Sequence, residues 1–167
     1  MEPSPPDVLR LVEAANAARW KGDPSAPVED AAAADAERRL EALFRTSQRL
    51  AVYGTLAPGR SNHHVVASLG GEWTDGVVEG DLRQAGWKAT FGFPAFRPRA
   101  GGAAVPVHLL TTPGLAAAWP RLDAFEGAAY RRILVPVLLP GPAEARRIHT
   151  VANLYAAAAS FPDDATR

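Results

Sequence analysis

From Arg49 onward the chain reads as short β-rich runs broken by turns, with one long helical stretch between them. LAVYGTL at 50–56, GVVEGDLRQ at 76–84, AVPVHLL at 104–110, RRILVPVLL at 131–139 and RRIHTVANLYAAA at 146–158 combine β-branched and aliphatic residues at strand length. Pro106 points to an edge or a bulge in the third run, because proline donates nothing to a ladder. Thr112–Pro113–Gly114 opens the helical stretch LAAAWPRLDAFEG, which Pro120 is expected to kink or divide. Short strands with one main helix predict an α+β domain built on a curled sheet or small barrel.

The first 48 residues have a different texture. Pro5–Pro6–Asp7 is a helix start, followed by Val8, Leu11, Val12 and Ala15 at helical spacing. A break follows around Gly22–Asp23–Pro24. Asp30 then opens AAAADAERRLEALF, with Leu40, Leu43 and Phe44 as a short apolar stripe. The expected organisation is a helical extension over 1–48, a domain over 49–160 and a flexible tail over 161–167. Amphipathic helices of this kind usually bury one stripe against their own domain, which is the expected role of the extension. They carry no catalytic constellation of their own.

Several function classes are excluded early. Cysteine is absent, so disulfides, thiolate nucleophiles and cysteine-bound zinc do not arise. No run reaches the ~18 apolar residues of a membrane span, and the first ten residues lack a secretory pattern; the expected compartment is the cytoplasm. Formal net charge is zero, giving no reason to expect nucleic acid. Residues 49–160 carry seven acids against eleven bases, a mild excess suited to a small anionic ligand. His63 and His64 are adjacent and cannot point the same way on a helix, while His108 and His149 stand alone on expected strands. No metal and no cofactor are assigned.

Two short motifs carry the functional reading. Val52–Tyr53–Gly54–Thr55–Leu56 delivers a strand into a glycine-bearing turn, where consecutive amides can form a nest for a carboxylate or phosphate. On spacing alone a plain turn with no ligand is the favoured reading, because lone glycine turns are common. Ser61–Asn62 before HHVVASL reads as a helix cap. Leu122–Asp123–Ala124–Phe125–Glu126–Gly127 ends the long helix, with Gly127 as its C-cap and Leu122 and Phe125 expected to face the core. Asp123 is solvated or paired with an arginine. A carboxylate at position 126 could be partly buried with a raised pKa, although most glutamates lie at the surface.

Taken in order, VYGTLAPG and LDAFEGAAYRR some seventy residues later resemble the γ-glutamylcyclotransferase-like family, which includes AIG2-like proteins. VANLYA and Phe93–Pro94–Ala95 also fit its pattern, and the resemblance spans about Leu50 to Ala158. Arg83 replaces the family's usual aromatic, and the helical extension lies outside the family core. The resemblance implies a small curled mixed sheet or barrel with flanking helices. It implies a cofactor-independent enzyme that cleaves γ-glutamyl amides by ring closure to 5-oxoproline and a free amine, with a small-molecule substrate and no nucleic-acid or membrane partner. It further implies Glu126 as general base and acid. The loop Tyr53, Gly54, Thr55 and Leu56 would hold the substrate's α-carboxylate, and Tyr130 and Tyr155 would be substrate contacts. One of Arg131 and Arg132 faces inward and the other solvent, because neighbours on a strand alternate. The alternative reading is a non-catalytic small-molecule binding protein using the same pocket.

Overall fold

A computed structural model describes residues 3–24, 26–83 and 94–161. The expected segment 84–93, with Gln84 and Phe93, and the tail at 162–167 lie outside the described residues. The elements run α1 (Pro5–Arg19), α2 (Ala31–Phe44), β1 (Arg49–Val52), α3 (His64–Ala67), β2 (Glu72–Arg83), β3 (Ala95–Pro98), β4 (Ala103–Thr111), α4 (Leu115–Glu126), β5 (Tyr130–Leu138) and β6 (Ile148–Ala157). Among the described residues no helix is long and apolar enough to cross a membrane.

The strands form one mixed sheet in the order β3-β2-β4-β1-β6-β5. Pairing of Val77 with Leu138 brings β2 back to β5 and closes five strands into a barrel. The β1–β6 pair is parallel and the others are antiparallel. Closure needs close approach at Gly76, where a Cβ would stand 2.5 Å from Val137 Cγ1. Pro106 faces β2 on one side; on the other, β1 pairs with β4 only from His108 onward, so no ladder bond is lost.

β5 and β6 read as near-continuous apolar runs because both of their faces are covered. Ile133, Val135 and Val137, with Ala152, Leu154 and Ala156, point into the barrel beside Phe96, Val105, Val107 and Leu109. The alternate residues point outward to helices. Leu134 and Val151 pack against Val8, Val12, Ala15, Ala36 and Leu40 of the extension, while Tyr155 joins Leu115, Trp119 and Leu122 of α4.

β1 stops at Val52, and residues 53–56 form the glycine-bearing turn that the strand is expected to enter. The structure corrects two local expectations. Ser61–Asn62 does not cap α3, which begins at His64 with no side-chain cap. Pro120 lies inside a single continuous α4. Its missing N–H costs one bond, and burial of Leu115, Ala118, Trp119 and Leu122 holds both sides of it in one helix.

The extension is joined to the barrel by polar contacts as well as apolar ones. Asn16 on α1 behaves like a neighbouring strand: its Nδ2 donates to the Leu134 carbonyl at 2.8 Å, and its Oδ1 accepts from the Leu134 amide at 2.9 Å. This satisfies two buried groups on the outer edge of β5. Asn16→Ala strands both of them. The expected destabilisation is about 2–3 kcal/mol, read as a lowered midpoint in urea unfolding; a change below about 0.5 kcal/mol, the size of an ordinary surface substitution, would contradict this account.

Candidate active site

A cavity of about 300 Å³ opens between the turn after β1, the end of α4 and the starts of β5 and β3. Tyr53, Gly54, Thr55, Leu56, Glu126, Tyr130 and Tyr155 all line it, together with Asn62, Pro94 and Phe125. The two motifs, some seventy residues apart in sequence, meet there because β1 runs parallel to β6 and α4 returns the chain beside them.

The carbonyls of the turn are tied back into the protein. Gly54 O accepts from Ala57 N at 3.2 Å, Thr55 O accepts from Asn62 N at 2.9 Å, and Leu56 O lies 2.9 Å from His63 Nδ1. The amides of Thr55 and Leu56 have no acceptor among the described residues. Asn62 Nδ2 donates to Thr55 Oγ1 at 2.9 Å and fixes the turn from the other side. A turn with occupied carbonyls and available N–H groups suits an anionic ligand.

Glu126 is half-buried on the opposite wall. Burial, and then the nearby negative charge of Asp123, lift its carboxyl from the ordinary glutamate value to about 7. Asp123 and Glu126 are three apart on α4 and so share a flank of the helix. Asp123 itself is held as an anion. Arg132 donates to it through Nε at 2.8 Å and Nη2 at 3.1 Å, a two-pronged grip, and the Tyr155 hydroxyl donates at 2.6 Å. The Arg132 guanidinium also stacks 4.4 Å from the centre of the Trp119 ring.

All three tyrosines already commit their hydroxyl protons. Tyr53 donates to Tyr155 O at 2.7 Å and accepts from Phe96 N at 3.2 Å; Tyr130 donates to Pro94 O at 2.9 Å; Tyr155 donates to Asp123. Burial raises the pKa of each, and the Glu126 carboxylate adds to the shift. The tyrosines therefore shape the cavity wall.

With this geometry in view, the sequence profile of the γ-glutamyl cyclotransferase, AIG2-like family matches residues 50–165. The chain belongs to that family. Membership supports a cyclotransferase-type role in general terms. Solved structures similar to this cyclotransferase-family chain include the uncharacterized protein PH0828 from Pyrococcus horikoshii, at 19% identity over 67% of this chain and 79% of that one, with a TM-score of 0.49. The protein c4763, specific to uropathogenic E. coli, is similar at 20% identity over 65% and 78%, with a TM-score of 0.45. No curated protein matches the chain closely enough to count as a relative.

The arrangement refines the reading of single residues. Phe125 does not face the core with Leu122: it is 44% exposed at the cavity wall, while Leu122 is fully buried. A three-residue step leaves the two about 60° apart around the helix, enough to move Phe125 off the packed face. Of the two arginines, Arg132 turns inward to Asp123, whereas Arg131 Nη1 donates to Gly22 O at 2.6 Å. Asn62 and Pro94 also line the cavity, outside the residues to which the two motifs point. For Asn62, its place one turn beyond Gly59 was the available signal.

The pKa of Glu126 has a direct consequence for stability. The folded state holds this proton more tightly than the unfolded chain, so its stabilising contribution is full below about pH 4.5 and is lost as pH rises through about 7. Glu126→Gln removes that loss. The variant is expected to be more stable than the parent at pH 8, by roughly 3 kcal/mol at most, and equal to it near pH 4. Urea unfolding of both proteins across that range checks it; equal stability at pH 8 would contradict it.

Proposed function

We propose that the chain is a γ-glutamylcyclotransferase-type enzyme that converts γ-glutamyl amides to 5-oxoproline and a free amine. The reading rests on one juxtaposition: a carboxyl with a near-neutral pKa shares a small cavity with a turn that presents free amides. The amides of Gly54–Leu56 bind the α-carboxylate of the glutamyl group, which directs its α-amine toward its own γ-carbonyl. Positioning of this kind can supply roughly 7–11 kcal/mol of the barrier.

Glu126 takes a proton from the α-ammonium. The freed amine attacks the γ-carbonyl carbon, a carbon–nitrogen bond forms and the five-membered ring closes. The oxyanion receives hydrogen bonds from the turn, each worth about 3–4 kcal/mol when well placed. Glu126 then protonates the leaving nitrogen as the amide bond breaks. Over the cycle two protons pass from the α-nitrogen to the leaving nitrogen, so the charge on the reacting groups balances. A carboxyl near pH 7 suits both halves of this work, since it gives and takes a proton with similar ease.

A binding protein would be served by a fully ionised carboxylate beside the ligand's ammonium, whereas a carboxyl with a pKa near 7 suits proton exchange, which favours catalysis. Free γ-glutamyl-amino acids, γ-glutamylamines, glutathione and carrier-bound γ-glutamyl groups form the test panel. The parent protein is expected to release 5-oxoproline from at least one class, and Glu126→Gln to lower that rate by at least about a thousandfold while retaining the fold by circular dichroism. An unreactive panel, or a variant with undiminished turnover, would remove the proposal.

A further inference from the structure

The first helix of the extension ends in a residue that a mere cover for an apolar patch does not need. Arg19, the last residue of α1, is only 8% exposed. Its guanidinium reaches β5 and β6, where it lines a second cavity with Glu37, Arg132 and Asn153. Nε and Nη2 donate to the two carboxylate oxygens of Glu37 on α2, at 2.6 and 3.1 Å. Nη1 donates to Asn153 Oδ1 on β6 at 2.7 Å. That same oxygen accepts from Arg132 Nη1 at 3.0 Å, while Asn153 Nδ2 donates to Thr46 O at 2.8 Å.

These bonds form one continuous polar chain. It runs from Glu37 through Arg19, Asn153 and Arg132 to Asp123, and ends on the cavity-lining hydroxyl of Tyr155. Its first two members lie outside the segment that matches the family. Burying a guanidinium is costly unless it is fully paired, and an apolar side chain of similar size would cover the barrel as well. Asn153 Oδ1 is shared by two cations, a contact that holds only while Glu37 and Asp123 neutralise one each.

We infer that Arg19 is a positioning residue for the active site: by fixing the Asn153 amide, it sets the pose of the Arg132 fork and hence of the Asp123–Tyr155 pair beside Glu126. The inference rests on the proposed cyclotransferase reaction for its meaning, but not for its test. The groups that face Glu126 are Asp123 on its own helix, Tyr53 in the turn, Tyr130 on β5 and Tyr155 on β6. Arg132 stands behind Asp123, and the Arg19–Glu37 pair stands behind Arg132. Removing Arg19 loosens the fork on Asp123 and leaves Glu37 without its partner, so more negative charge is felt at Glu126.

The test is direct titration of the Glu126 carboxyl by carbon-13 NMR on full-length protein labelled at glutamate, assigned with Glu126→Gln. Arg19→Met is expected to move the midpoint upward by about half a pH unit. Arg19→Lys, which keeps the charge but cannot hold Glu37 and Asn153 together, moves it the same way by less and guards against a variant that fails to fold. With a reactive substrate in hand, Arg19→Met is expected to lower kcat about tenfold with KM within about twofold. Coupling through the hydroxyl means that this drop shrinks markedly on a Tyr155→Phe background. A folded Arg19 variant with an unchanged Glu126 midpoint, whatever its melting temperature, overturns the inference. If the parent protein releases no 5-oxoproline at all, the proposed reaction fails while the titration still decides the role of Arg19.

Discussion

The Asp123 carboxylate is the junction on which the site depends. It receives two N–H groups from Arg132 and the hydroxyl of Tyr155, so one side chain ties α4 to β5 and β6 at once. That grip keeps Asp123 charged in a half-buried place. Its charge then works with burial to lift Glu126 into the neutral range. Two carboxyls one helical turn apart thus differ: Asp123 is gripped by three donors, while Glu126 is poised to exchange a proton near neutral pH. The difference comes from donors, since Asp123 has three within hydrogen-bond reach and Glu126 faces apolar surface and tyrosine rings.

The barrel supplies the second requirement, which is a rigid frame. Pairing of Val77 with Leu138 closes the barrel, and Asn16 satisfies Leu134 on the outer edge of β5. The turn at 53–56 leaves a parallel strand pair with its carbonyls occupied, so its amides are presented from a fixed backbone. The turn amides and the Glu126 carboxyl therefore sit on opposite walls of one cavity, each held by separate elements.

Much of this was legible in the sequence, for identifiable reasons. The strands at 104–110, 131–139 and 146–158 read correctly because burial on one or both faces leaves a dense apolar pattern. Gly127, with φ of 75°, did cap α4 as its position indicated. The family resemblance implies that the turn and Glu126 share one site, and both line the cavity. What stayed hidden depends on contacts across the fold. Asn16 and Arg19 look like ordinary polar positions on a helix, and only the docking of α1 on β5 buries them. Pro120 looks like a helix breaker, and only the packing of its neighbours overrides it. The direction of Arg132 follows from strand register, which alternation alone cannot fix.

The claim at the centre is that the near-neutral carboxyl of Glu126 accepts the proton that frees the attacking amine. The most direct measurement is kcat/KM for 5-oxoproline formation from pH 5 to 9. The account predicts an acid limb with a midpoint near 7, falling about tenfold per unit below it as Glu126 takes up a proton. Activity that stays flat down to pH 5 would contradict it.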